Sequence, residues 1–257
     1  MFKKKNKPTL KFSTPFVGLE NIDSCRPQPA KNFIPKWYTD MPPTPHDEHY
    51  TKLIPQTKTI KLCPSFTDIF YNGYVIPAHC DMYFRWEEGG EWEWATSFEE
   101  YEIQLHHDKQ MKDYVPSSAN IQKVFKIISA WRMMTPPGYS VYQVPLLYHY
   151  NPDWYIPYGV IHTDKHHILN QQLVITADKK KQIMIKQGEP LCYYVPFKRE
   201  EFDLEIETWS QEWEDKCREN LFRVHSKFKG GYLKNIWYNP AYGFYNWVSN
   251  RVFFKRN

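Results

Sequence analysis

Turn signals recur about every 8 to 12 residues between positions 131 and 199, a spacing that leaves room only for short strands. Clusters of Pro, Gly, Asp and Lys interrupt the chain at 135–140, 178–180 and 187–190. Strands of this length and spacing are typical of an antiparallel sandwich, roll or barrel, so we expect a mainly β fold. The runs between the turns predict strands at 141–147, 159–161, 169–176, 183–185 and 191–195.

The same pattern extends upstream. Aromatic residues make up 18% of the chain, and because Tyr, Phe and Trp favour strands, this content agrees with a mainly β fold. A strand after the Gly89-Gly90 turn carries Trp92, Trp94 and Thr96 on one face. Further strands are predicted at 57–62, 71–77, 81–86 and 121–131.

The N-terminal part differs from this β region. Residues 1–57 are rich in Pro and lack periodicity, so we expect an extended arm that packs on the core through Trp37 and Tyr38. We divide the chain into this arm, a β domain at 58–207, and a C-terminal helix with an aromatic tail at 208–257 packed on that domain.

One helix is predicted near the C-terminal end. Trp213, Cys217 and Leu221 recur at helical spacing with charged residues between them, which predicts a helix at 209–229. Thr208 and Gln211 fit a capping box at its start, and Gly230-Gly231 fits its end.

Composition and motifs exclude several classes of protein. The net charge is only +4 and the basic residues are spread along the chain, so nucleic-acid binding is not expected. The five cysteines form no C-x-x-C pair, which argues against a zinc ribbon. There is neither a G-x-S-x-G nor a P-loop motif. No apolar run is long enough to span a membrane, and the Lys-rich start lacks the apolar stretch of a secretory signal.

A cluster of metal-binding residue types occurs at positions 162–167. If this piece is a strand, His162, Asp164 and His166 share one face. His-x-Asp resembles the motif of Fe(II)/2-oxoglutarate oxygenases on a double-stranded β-helix, in which two His and one carboxylate hold the iron. The alternative is a polar loop with surface histidines.

That resemblance implies further residues. A distant His must complete the ligand set, and His225 is the later candidate, although it falls in the predicted helix. A basic residue must bind the cosubstrate carboxylate, and Arg199 or Lys234 fits that role. Fe(II) or another divalent metal is therefore expected only if this alternative holds, and otherwise no cofactor is.

The number of aromatic residues is large for one core. Trp92, Trp94, Tyr155 and Tyr158, together with Arg199, are candidates for a binding surface for a sugar, a base or a protein partner. The alternative is that the aromatic side chains cover the sheet and hold the Pro-rich arm.

Six motifs between residues 30 and 200 share one further feature. They are I-P-K-W-Y (34–38), K-x-C-P (61–64), W-x-x-x-T-P-P-G-Y-S (131–140), G-V-I-H-T-D (159–164), K-Q-G-E-P (186–190) and V-P-F-K-R-E (195–200). Together they cover most of residues 30–200 and resemble a family of uncharacterised proteins encoded by tailed bacteriophages, a family that has no assigned activity.

A second resemblance rests on residues 159–162 (GVIH) and 188–191 (GEPL). These are similar to two strand motifs in the β-barrel of dUTPases and dCTP deaminases. The catalytic pattern is missing, because His162 stands in place of the water-activating Asp, Lys165 stands in place of the Tyr under the sugar, and both phosphate motifs are absent. The resemblance implies a β-roll or barrel without that chemistry.

These observations favour a phage-encoded binding or assembly protein without enzymatic activity, located in the host cytoplasm or the virion and not secreted. A protein partner or a homo-oligomer is expected, without membrane or nucleic-acid binding. The alternatives are a metal-dependent oxygenase-like enzyme that uses His162 and Asp164, and a dUTPase-like barrel that binds a nucleotide without catalysis.

Overall fold

The structure, a computed structural model, describes residues 7–45, 58–87, 89–98, 103–107, 110–178 and 182–225. The chain divides into two compact units. One is Leu10–Arg199, called here the β unit, and the other consists of Met1–Thr9 and Glu200–Asn257.

Thirteen strands occur in the described ranges, and every pairing between them is antiparallel. They are β1 (Lys11–Ser13), β2 (Gln28–Pro29), β3 (Tyr74–Pro77), β4 (Met82–Trp86), β5 (Trp92–Thr96), β6 (Ile103–Leu105), β7 (Lys123–Met134), β8 (Tyr139–Pro145), β9 (Trp154–Tyr155), β10 (Gly159–Ile161), β11 (Ile168–Ile175), β12 (Ile183–Ile185) and β13 (Pro190–Lys198). The α-helices are α1 (Lys36–Asp40), α2 (Pro64–Thr67) and α3 (Gln211–His225). Short 3-10 helices are Leu19–Asn21, Asp23–Cys25, Ala30–Phe33, Ile60–Leu62, Asp68–Tyr71 and Ser117–Ala119.

The strands form three sheets. One has the order β1-β7-β11-β9 with β6 also on β7, the second has the order β10-β8-β13-β3-β2, and the third has the order β12-β4-β5. All three contribute to a single large apolar core. Because buried residues alternate with more exposed ones along β4, β5 and β12, these strands turn one face to that core.

The predicted mainly β class with one C-terminal helix is confirmed. In the part of the chain that the structure describes, the sheets do not close into a barrel. The expected strand at 57–62 is wrong, because Ile60–Leu62 is a 3-10 helix that leads into α2 at Pro64. Proline is favoured at the first helical position, so Pro64 starts a helix where alternation alone suggested a strand.

The N-terminal segment contributes to the sheets instead of being only an extended arm. β1 pairs with β7, and β2 pairs with β3. Trp37 donates its indole N–H to the Tyr148 carbonyl at 2.7 Å, and the buried Tyr38 donates its hydroxyl to the Ile60 carbonyl. Positions 46–57 of the predicted arm lie outside the described residues.

Helix α3 begins later than its predicted cap. Ser210, not Thr208, is the cap, since its Oγ accepts the backbone N–H of Trp213 at 3.2 Å. Its side chain thereby satisfies an N–H that would otherwise lack a partner in the first turn. The predicted end at Gly230-Gly231 lies outside the described residues, and packing of the helix on the β domain stays a prediction. None of the described helices is long and apolar enough to cross a bilayer.

A polar network crosses the core between the two larger sheets. Gln171 of β11 donates its amide N–H to the Tyr194 hydroxyl of β13 at 2.8 Å. The Tyr194 hydroxyl donates to the Gln143 amide oxygen of β8 at 3.4 Å, and the Gln143 amide donates to the Pro157 carbonyl at 3.0 Å. Because all three side chains are buried, each polar atom needs its partner, so the network fixes how the two sheets are paired.

We predict that Tyr194→Phe lowers the free energy of unfolding by about 1–3 kcal/mol, because it leaves the buried Gln143 amide oxygen without its partner and leaves the Gln171 amide N–H with only its weak contact to Cys192 Sγ. Urea unfolding followed by tryptophan fluorescence measures this change. The control is Tyr142→Phe on the neighbouring strand, where the ring is 46% exposed, so we expect a change within about 0.5 kcal/mol. Equal losses in the two variants would contradict the role assigned to the network.

Candidate functional site

A pocket of about 260 Å³ lies between β10 and β11 in the β unit. Its ten lining residues include no Lys, Arg, Asp or Glu, and their polar side-chain groups are three amides, one imidazole and the phenol hydroxyl of Tyr158. A neutral polar ligand therefore fits it better than a charged one. The lining residues are Gln143, Pro157, Tyr158, Gly159, Val160, Ile161, His166, Ile168, Asn170 and Gln172.

The alternation of β11 places the amides in this pocket. Leu169, Gln171 and Leu173 are buried on one face, so Asn170 and Gln172 lie on the other. Neither amide side chain has a hydrogen-bond partner among the described residues, and both are only partly exposed. They are donors and acceptors available to a ligand.

The edges of two strands meet at the pocket. Within the described strands, β10 pairs only with β8, and β9 reaches β11 only at Val174 and Ile175. On the side that borders the pocket, the backbone groups of β10 and of the first half of β11 therefore have no neighbouring strand. Gln143 also lines the pocket and connects the pocket to the Tyr194 network.

The histidine and carboxylate cluster forms a different arrangement beside the pocket. Asp164 accepts a two-pronged contact from the Arg199 guanidinium, with Nη1–Oδ1 at 2.9 Å. The side chain of Asp164 is 1% exposed, and its Oδ2 also accepts the backbone N–H of Gly138 at 3.0 Å. Gly138 has a φ of +82° in the turn between β7 and β8, a conformation that favours glycine.

Ser140 and His162 extend this network. Arg199 Nη1 donates to Ser140 Oγ at 2.6 Å and lies 3.4 Å from His162 Nδ1. Because a cationic donor faces Nδ1, this nitrogen is the acceptor, and the Ser140 hydroxyl donates to it at 2.8 Å. The hydrogen bonds from Arg199 hold the pKa of Asp164 well below its usual range, and the Gly138 N–H acts in the same direction.

This arrangement disfavours the predicted metal centre of His162, Asp164, His166 and His225. The Asp164 carboxylate is occupied by Arg199, and His166 instead lines the neighbouring pocket. His225 is the last residue of α3 in the other unit, and its side chain is not described. Across the described ranges, no three His, Cys, Asp or Glu side chains are placed to hold one metal ion. Arg199 is likewise engaged with Asp164 instead of being free for a cosubstrate.

The predicted binding aromatics do not form one surface. Trp92 is buried in the core, with its ring 6.4 Å from Phe125, and Trp94 packs against the same ring at 5.4 Å. Tyr155 packs on a smaller apolar cluster, and burial raises the pKa of its hydroxyl. Tyr158 is 75% exposed and lines the pocket.

A second candidate surface lies in the other unit, in residues 200–225, called here the acidic segment. Its large apolar side chains are exposed, while its backbone is irregular up to residue 210 and then forms α3. It contains nine acidic and three basic residues, a net charge of −6, whereas the β unit contains twenty of each and is neutral. The exposed apolar residues are Phe202, Leu204, Ile206, Trp209, Trp213, Leu221 and Phe222.

Two features were missed at the level of sequence. Asn170 and Gln172 are the kind of polar residues that face solvent on any half-buried strand. Their spacing of two residues was the only sequence signal that they share one face of β11. The run F-D-L-E-I-E at 202–207 alternates strictly, and this pattern was available in the sequence.

No family model and no curated protein matches this chain. Among solved structures, a point mutant of the dUTPase of Staphylococcus bacteriophage 80alpha is similar at a TM-score of 0.35 and 12% identity, covering 79% of this chain and 99% of that chain.

We predict that Asp164→Asn changes the pH dependence of stability. The carboxyl pKa is lowered in the folded state, so its contribution to stability is fully present above the unfolded value of about 4 and is lost progressively as the pH falls from there through the lowered folded value. The variant should melt at a lower temperature than the wild type at pH 7, and the difference between the two melting temperatures should narrow steadily below about pH 4. In that acid range the variant should take up about one proton fewer on unfolding.

Differential scanning calorimetry from about pH 2 to pH 7 measures how this difference narrows. Asp203→Asn is the matched control, because Asp203 is exposed and its curve should follow that of the wild type. A constant difference between Asp164→Asn and the wild type at every pH would contradict the assignment.

Proposed function

We propose that this chain is a non-enzymatic binding or assembly protein of the kind that tailed bacteriophages encode, and that it binds a protein partner through the acidic segment. The main observation in support of this proposal is that seven large apolar side chains are exposed within the 21 residues 202–222. Exposed apolar surface of this kind marks a protein interaction site.

The composition of the acidic segment fits an interface. Trp209 and Trp213 are 68% and 52% exposed, and Trp is enriched among residues that dominate binding energy. The surrounding carboxylates keep the free segment soluble and favour a partner with basic groups around an apolar groove. The neutral β unit, by contrast, supplies no strong electrostatic attraction of its own.

We predict that the combined variant Phe202→Ser, Leu204→Ser and Ile206→Ser loses at least about 100-fold in affinity for the partner, because three apolar anchors are removed. Its melting temperature should stay within about 2 °C of the wild type, since these side chains are exposed. A matched control, Val17→Ser, Tyr114→Ser and Met184→Ser, removes three exposed apolar residues elsewhere.

The test compares the three full-length proteins as baits in a lysate of infected host cells. A protein retained by the wild type and the control but not by the segment variant is then purified, and its affinity is measured by calorimetry. The proposal fails if no purified candidate binds, or if the control variant loses as much affinity as the segment variant.

A second candidate function is recognition of a neutral nucleoside in the pocket. The specific observation is the pair of amides, Asn170 and Gln172, since Asn and Gln can pair with the edge of a base through a donor and an acceptor. The absence of any cationic residue from the lining favours a nucleoside over a triphosphate. This candidate corresponds to the alternative of nucleotide binding without catalysis, with recognition limited to the base and the sugar.

We predict that at least one nucleoside at millimolar concentration raises the melting temperature, by about 2–4 °C for each kcal/mol that the bound ligand adds to the free energy of unfolding. The effect should disappear in Asn170→Leu with Gln172→Leu, and should persist in Met184→Leu on the distant strand β12. A panel of the four deoxynucleosides and uridine is measured by thermal shift. If none of them shifts the wild type, this candidate is excluded.

A further inference from the structure

Residues 202–207 have the pattern of a strand without a sheet. Phe202, Leu204 and Ile206 alternate with Asp203, Glu205 and Glu207. The three apolar side chains are 87%, 87% and 89% exposed, and the backbone belongs to no helix or strand. In an extended conformation the apolar side chains share one face and the carboxylates share the other, because the side-chain period of a strand is two.

From this pattern we infer that residues 202–207 add as a strand to the free edge of a basic β-sheet in a partner protein. The inference rests on the proposed function and specifies its mode. A single strand is not stable in water, so the pattern has a structural use only when another strand pairs with it. In such a complex, main-chain hydrogen bonds supply affinity and alternate side chains supply specificity.

Charge determines which kind of edge fits. Residues 200–207 contain five carboxylates and no basic residue. Pairing of two copies of this stretch would set carboxylates against carboxylates, which is destabilising across strands. An edge strand that carries Lys or Arg at alternate positions places opposite charges across the pair and is favoured instead.

The residue before this stretch is anchored. Arg199 is held by the two-pronged contact with Asp164 inside the β unit. At the other end, Glu207 accepts the indole N–H of Trp213 at 2.6 Å in an exposed hydrogen bond next to the start of α3. Anchoring the N-terminal side reduces the conformational entropy that the stretch loses on binding.

The test uses the full-length chain and a synthetic peptide as a model of a basic edge strand. The probe is a seven-residue peptide of alternating Val and Lys, and the control has the same composition in two blocks, four Val followed by three Lys. We expect the alternating peptide to bind at least tenfold more tightly by fluorescence anisotropy. In the bound state, NMR amide exchange should show protection at every second amide from 202 to 207, because only one edge of the added strand faces its partner.

Two variants separate the contributions of the apolar and the acidic side chains to peptide binding. Phe202→Ser, Leu204→Ser and Ile206→Ser should weaken binding of the alternating peptide at least tenfold, and Asp203→Lys with Glu205→Lys should remove its advantage over the block peptide. Equal binding of both peptides, or protection without the period of two, overturns strand addition. Those results leave the lysate test of the proposed function unaffected, since side chains can dock on a partner without strand pairing.

Monomer and dimer are distinguished by sedimentation velocity of the wild type and the triple Ser variant. A monomeric wild type at micromolar concentration is the expected result. A wild-type dimer that the triple variant abolishes would show that a second copy is the occupant, and would overturn the assignment to a basic partner.

Discussion

The Tyr194 hydroxyl lies in the middle of the core, and the way the sheets pair depends on its hydrogen bonds. It links Gln171 on one sheet to Gln143 on its own sheet, and Gln143 in turn holds the Pro157 carbonyl just before β10. A buried polar group without a partner is costly, so this network tolerates little change of register. It also sets the position of Gln143 in the pocket, which connects core packing to a candidate binding site.

The same chain uses polar groups in three chemically different ways. In the core, Gln171, Tyr194 and Gln143 pair with one another; around Asp164 the polar groups form an ion pair with Arg199 beside the turn at Gly138; in the pocket the amides of Asn170 and Gln172 have no partners among the described residues. Of these three groups, the pocket amides have donors and acceptors available for a ligand. A tightly paired carboxylate stabilises the fold, whereas amides without protein partners can bind a ligand.

Charge distinguishes the acidic segment from the β unit. The β unit is neutral, while the acidic segment carries −6 and exposes its apolar residues. A neutral, well-packed domain joined to a charged apolar segment suits a protein whose specificity lies outside its core. The ion pair of Arg199 with Asp164 stands at the boundary, because Arg199 is the last residue of the β unit.

The fold class follows from local sequence, because strands such as β5 show apolar alternation and the turns between strands contain Pro and Gly. A helix after residue 208 follows in the same way, although Ser210 instead of Thr208 caps it. The partners of the polar residues, by contrast, come from tertiary packing. The spacing His162-x-Asp164-x-His166 suggests a metal site, whereas folding places Arg199, 35 residues away, on Asp164. Spacing along a strand fixes which side chains share a face, but the partner that satisfies a charge comes from another strand, and long-range packing alone selects it.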